Sequence, residues 1–211
     1  RGPNFCNSSW PFVEAKVLDL EPYMLKYWAN IYADTGKLSL WQHEWSKHGT
    51  CAAQLPQLDN EHKYFSQGLV WVVQYALEKG LAQYGIVPSS SNTYTNDQIF
   101  AALTALFNTD PIVDCVYDKD NGRQLLSQIK LCFNKDLKLV SCLPTLRNAA
   151  SQPQARGNCP PHGIHYPDVV SNNGALFRVN HEGPAAAGGG QERRGGQCST
   201  VLCQALFAVS A

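Results

Sequence analysis

The sequence has no net charge to offer: 17 basic side chains offset 17 acidic ones over 211 residues. Bulk attraction therefore cannot hold a polyanion, and any contact with nucleic acid must come from a local cluster of residues. A membrane-spanning run is also lacking. The best candidate, Val201 to Ala211, is too short and contains Gln204, so a soluble chain with no membrane partner is expected. No Cys-x-x-Cys pair occurs, which argues against zinc ribbons and thioredoxin-type redox motifs. No methionine or apolar leader opens the chain at Arg1, so export would call for a leader upstream.

What is present points to an oxidising compartment. The eight cysteines are scattered singly, and their even number suits disulfides. Asn7-Ser8-Ser9, beside Cys6, is an acceptor sequon for N-glycosylation at Asn7. Together these features lead to an expectation of a secreted protein or one of the lysosomal or endomembrane lumen.

Local patterning predicts helices followed by strands. Apolar residues at helical spacing run from Phe12 to Tyr32 with a break at Pro22, and a short helix is expected over Trp41 to His48. Asn60 to Tyr84 reads as one long helix whose middle, Gly68 to Val73, crosses the core. Thr95-Asn96-Asp97-Gln98 has the form of a capping box and opens a further helix. Ile112 to Tyr117, Ser127 to Phe133 and Leu137 to Cys142 read as strands, with Asp120-Asn121-Gly122 as a turn. The expected class is α+β: an antiparallel sheet packed with several helices and stabilised by disulfides. Gly183 to Gly196 is of low complexity, and residues 168–211 are expected to be a disordered extension of a domain over 1–167.

The chemistry concentrates in His43-Glu44-Trp45-Ser46-Lys47-His48. At about 100° per residue, His43, Lys47, Glu44 and His48 fall near 0°, 40°, 100° and 140° on one helix face. A solvated charged face would look similar, but two histidines flanked by Trp41 and Trp45, with Cys51 to pin the end, favour a site. The spacing is one residue longer than the His-Glu-x-x-His of zinc proteases, which turns the second imidazole away, and Lys47 would repel a cation. No metal or other cofactor is expected. A metallohydrolase built on His43 and His48 is the weakest alternative.

The same groups suit cleavage of RNA by its own 2′-hydroxyl. Histidine transfers protons near working pH, lysine stabilises extra negative charge on phosphorus, and glutamate orients or polarises an imidazole. Leu40 through Cys51 resembles the second active-site segment of the ribonuclease T2 family. The resemblance extends to Cys6-Asn7-Ser8-Ser9-Trp10-Pro11-Phe12, to Gln128 through Cys132 and to Gly163 through Pro167. It implies a metal-independent endoribonuclease of α+β fold that releases 2′,3′-cyclic phosphates. His48 would be the general base, His43 would bind and polarise the phosphate, and Glu44 and Lys47 would assist transition-state stabilisation. It also implies Trp41 and Leu40 as substrate-binding positions, Leu40 standing where an aromatic residue often stacks on a base. The implied disulfides are Cys6–Cys51, Cys115–Cys159 and Cys132–Cys142, with Cys198 and Cys203 left unassigned. The expected partner is single-stranded RNA and not DNA, bound by a monomer.

The family's first active-site segment, His-Gly-Leu-Trp-Pro, is not found in this sequence. It would lie shortly before Arg1 and carries the usual general acid, so the 211-residue chain is expected to be feeble or inactive. The alternative is a non-catalytic secreted member of the fold that binds or signals. The other histidines, His62, His162, His165 and His181, are read as solvated or structural.

Overall fold

A computed structural model of the chain describes residues 3–28, 35–143 and 156–167, together with the backbone of 169–172, 175–178 and 207–209. Two 3-10 turns, Glu14–Lys16 and Leu18–Leu20, lead into α1 (Glu21–Tyr27). Pro22 lies in the first turn of α1, where its missing N–H has no helical partner to lose, so it opens the helix and does not break one. A composite helix follows: α2 (Ser39–Glu44), a π-helical turn (Trp45–Gly49) and α3 (Thr50–Ala52).

The long helix expected over Asn60 to Tyr84 is two. Asn60 caps α4 (Glu61–Tyr75) by accepting the Lys63 amide at 3.0 Å. Ala76 then turns into the left-handed region (φ 37°), and α5 (Leu77–Gln83) starts in a new direction. Only one face of α4 is buried: Val70 and Val73 stand 54% and 66% exposed, contrary to a helix crossing the core. Both halves of the capping box at Thr95 and Gln98 form, and α6 (Asn96–Phe107) follows.

The sheet grows on β3 (Arg123–Phe133), which pairs antiparallel with β2 (Ile112–Asp118) along its length, with a bulge at Asp114/Cys115. β1 (Thr93–Tyr94), β4 (Leu139–Val140) and β5 (Ile164–His165) are short. The α+β class is as expected, but the sheet is mixed, because β5 and a short strand at Phe207–Val209 run parallel to β3. The segment expected to lack structure contributes β6 (Val169–Asn172), β7 (Ala175–Arg178), paired as a hairpin, and β8 (Phe207–Val209). Its remaining residues, with His181, Cys198 and Cys203, lie outside those described.

Two apolar clusters form. One joins the sheet to α5 and α6 through Leu81, Ile99, Leu103, Ile129, Phe133 and Tyr166, and Trp71 of α4 stacks on Phe133 at 4.0 Å. The other packs α1, the composite helix and α4 around Met24, Trp28, Trp41, Trp45 and Phe65. The disulfides Cys6–Cys51, Cys115–Cys159 and Cys132–Cys142 are all present. Among the described residues no helix is long and apolar enough to cross a membrane.

Candidate active site

The composite helix takes its orientation from its tryptophans. Trp41 is fully buried and its indole N–H donates to the Trp28 carbonyl at 2.7 Å. Trp45, also fully buried, donates to the Trp10 carbonyl at 3.2 Å and meets Trp10 and Tyr64 edge-on. With this face anchored in the core, His43 is exposed and Lys47 and His48 are half-buried.

The π turn changes the angular relation read from an ideal helix. His43 and His48 are five residues apart and would stand about 140° apart on an α-helix. With i→i+5 bonding through Trp45–Gly49 they become neighbours, their ring centroids 6.5 Å apart and the rings edge to face. The argument that the spacing turns the second imidazole away therefore fails for this helix. Among the described residues no group of three or more His, Cys, Asp or Glu side chains could hold a metal ion.

Burial sets the protonation states. Desolvation, with help from Lys47 and then His43, pushes His48 down to about 4. Desolvation and then Lys47 also lower His43. Glu44 is only 5% exposed, and its Oε2 has no hydrogen-bond partner. Burial raises it to about 7 against the opposing pull of Lys47. Tyr64, reaching across from α4, is raised by burial and by the Glu44 carboxyl. Between about pH 4 and 7 the site thus holds a neutral His48 and a protonated Glu44 beside the basic Lys47, an arrangement suited to taking one proton and receiving an anion.

The remaining sequence candidates separate. Leu40 is half-buried against the aromatic cluster. Trp41 is a core residue with no face for a substrate, which corrects its assignment to binding: its apolar ring fills the cluster and its one donor is satisfied within it. His62 pairs with Asp19 at 2.9 Å, His162 is exposed, and His165 is held in β5 opposite Thr93 and Leu125. Two neighbours of the site escaped the sequence reading. Tyr64 is one; only a contact across 20 residues of sequence reveals it. The other is Thr50, buried directly after Gly49. A cavity of about 380 Å³ between Tyr84–Ile86 and α6 draws no residue from the composite helix.

The model of the ribonuclease T2 family matches residues 1–142. This chain belongs to the ribonuclease T2 family. Ribonuclease Oy of Magallana gigas is 40% identical over 175 residues, covering 82% of this chain and 79% of that protein. Ribonuclease T2 of Danio rerio is 36% identical over 138 residues, 65% of this chain, which spans 57% of that protein's length. Among solved structures, human RNase T2 aligns with a TM-score of 0.64 and 29% identity over 78% of this chain and 79% of that one. Membership in the T2 family makes the chain a ribonuclease, with RNA as its substrate class.

Proposed function

We propose that the composite helix is the centre of an endoribonuclease that cleaves single-stranded RNA by internal transphosphorylation. His48 takes the proton of the 2′-hydroxyl. The 2′-oxygen then forms a bond to phosphorus as the bond from phosphorus to the 5′-oxygen breaks, and the departing oxygen takes up a proton. The products are a 2′,3′-cyclic phosphate and a free 5′-hydroxyl. His43 and Lys47 hold the phosphate, and Lys47 with Glu44 stabilises the charge that builds on its oxygens. A protonated Glu44 supplies a hydrogen bond there without adding like charge. DNA, with no 2′-hydroxyl, has no nucleophile to offer.

The observation that carries this reading is the His43–His48 pair. The π turn sets the rings 6.5 Å apart on the helix that carries Lys47 and Glu44, and burial lowers His48 to about 4. An acidic lumen suits a site in that state. Asn7 is exposed, its side-chain oxygen accepting the Ser9 amide at 3.0 Å, a position compatible with a glycan.

Incubation of the purified chain with a short single-stranded RNA and a strong chelator is expected to yield a 2′,3′-cyclic phosphate end only slowly, because this sequence does not contain the His-Gly-Leu-Trp-Pro segment. A version carrying that segment should release it faster. His48→Ala should lower the rate by about 10²–10⁴-fold, the usual range for a general base. Undiminished cleavage by His48→Ala would remove His48 from the mechanism. RNA binding with no cleavage would favour the non-catalytic alternative.

A further inference from the structure

The π turn needs a reason to persist, because an inserted residue leaves backbone groups out of step with the helix on either side. Thr50 N–H reaches back five residues to the Trp45 carbonyl. The Ser46 carbonyl, which that amide would take in an α-helix, instead accepts the Thr50 hydroxyl at 2.9 Å. Thr50 is 5% exposed and Ser46 half-buried, so water reaches this carbonyl only in part. Leaving the bond unmade would cost more at this half-buried carbonyl than at one open to solvent.

Two further contacts hold the same turn. The Lys47 carbonyl accepts the Phe5 amide at 3.0 Å, next to the Cys6–Cys51 disulfide. Gly49 lies under the Trp45 indole so closely that a Cβ would come within 2.2 Å of its ring. The Thr50 hydroxyl differs from both in being a side-chain group whose hydrogen bond belongs wholly to the turn. Removing it favours a return to α-helical bonding, which would swing His48 away from His43.

We propose that Thr50 is a positioning residue of the active site, its hydroxyl locking the π turn that sets His48 beside His43. This rests on the catalytic reading above and extends it to a residue that touches no substrate. A structural role alone would predict lost stability with unchanged chemistry in the folded fraction. A positioning role predicts a change in the reacting geometry itself.

The test uses the full 211-residue chain and the variants Thr50→Val, Thr50→Ser and Thr50→Ala. Thr50→Val keeps the shape and loses the hydroxyl; kcat should fall about 10- to 100-fold with little change in KM, the scale of a small misplacement of a reacting group. Thr50→Ser should restore most of it. If Thr50→Val does not fold, Thr50→Ser and Thr50→Ala, which differ by one oxygen, carry the same comparison. NMR titration of the His48 ring provides a readout independent of turnover, and its midpoint should move toward the ordinary histidine value in the variants lacking the hydroxyl. Unchanged kcat and an unchanged His48 titration in folded Thr50→Val or Thr50→Ala would overturn the proposal while leaving the catalytic reading intact. If His48→Ala still cleaves, or if a chain carrying the His-Gly-Leu-Trp-Pro segment cleaves nothing, that reading fails separately and the titration still decides for or against Thr50.

Discussion

Glu44, Thr50 and Glu61 are buried, and all three belong to the composite helix or to α4, packed against it. Around the sheet, the cluster is built from Leu, Ile, Val, Phe, Tyr, Trp, Ala and Cys side chains, with no buried carboxyl group among the described residues. The helical side meets its polar cost unevenly. Glu61 is neutralised by Lys16, whose Nζ lies 2.9 and 3.0 Å from its two oxygens. Thr50 bonds the backbone, but Glu44 keeps an unpartnered oxygen. Unpartnered buried polar atoms occur on both sides, Glu44 Oε2 in the composite helix and Asn96 Oδ1, Thr104 Oγ1, His165 Nδ1 and Tyr166 OH around the sheet. What sets the helical side apart is that it buries carboxyl groups. The sheet side buries its apolar cluster without carboxyl groups among the described residues, and the helical side holds Glu44 buried beside the histidines.

The disulfides offer the largest way to break this contrast. Cys6–Cys51 closes 45 residues and ends in the composite helix, whereas Cys132–Cys142 closes 10 at the rim of the sheet. Loop-closure entropy assigns them about 4 and about 3 kcal/mol. Replacing both cysteines of a pair by serine should therefore destabilise the chain by similar amounts, read by denaturant unfolding. Activity per folded molecule should separate them. Loss of Cys6–Cys51 frees Phe5 and the Lys47 carbonyl it caps, and should lower kcat; loss of Cys132–Cys142 should not. Equal kcat in both variants would mean that the site does not depend on its covalent tether.

The same contrast explains what could be read from the sequence. Thr95 and Gln98 satisfy each other's backbone within four residues, and β2 and β3 alternate around a tight turn, so local chemistry announces them. The residues of the site were equally plain, since His43, Glu44, Lys47 and His48 lie within six positions. Their geometry was not. The π turn depends on Phe5, on the Trp45 ring over Gly49 and on a threonine hydroxyl, none of which a 3.6-residue period encodes. Ala76 broke a continuous apolar pattern for a similar reason: no breaker residue marks it, and tertiary packing decides. Trp41 looked like a ligand platform beside the histidines until the core claimed its whole surface.

Glu44 sharpens the contrast through pH. Its folded-state pKa is raised from 4.5 to about 7, so its stabilising contribution is complete below the unfolded value and is lost as pH rises through about 7. Glu44→Gln stays neutral throughout. It should match the parent near pH 4 and exceed it by on the order of 3 kcal/mol at pH 8, measured by denaturant unfolding. His48 runs the other way: lowered to about 4, it contributes above its ordinary value and loses that contribution as pH falls through about 4. Activity should accordingly fall on the acid side as His48 protonates and on the alkaline side as Glu44 ionises. Glu44→Gln should weaken the alkaline limb and leave the acid limb in place. A stability difference independent of pH would show that Glu44 is not held neutral by burial.

The smallest effect discriminates most finely. Asn60 and Thr95 cap α4 and α6 by the same device, each side-chain oxygen accepting an amide three residues on, at 3.0 and 3.1 Å. Alanine at either cap should cost about 1 kcal/mol. The first turn of α4 carries Tyr64, whose ring packs on Trp45 at 5.8 Å and whose phenol feels the Glu44 carboxyl. Fraying that turn loosens the support of the composite helix from beneath. Asn60→Ala should therefore lower kcat by a few-fold at a temperature where both variants are fully folded, while Thr95→Ala, at the sheet-side helix, leaves kcat at the parent value. If the two variants lose stability equally and neither changes kcat, the support reaching the site from α4 does not run through its first turn, and the packing of Trp28 on Tyr64 and Phe65 must carry it alone.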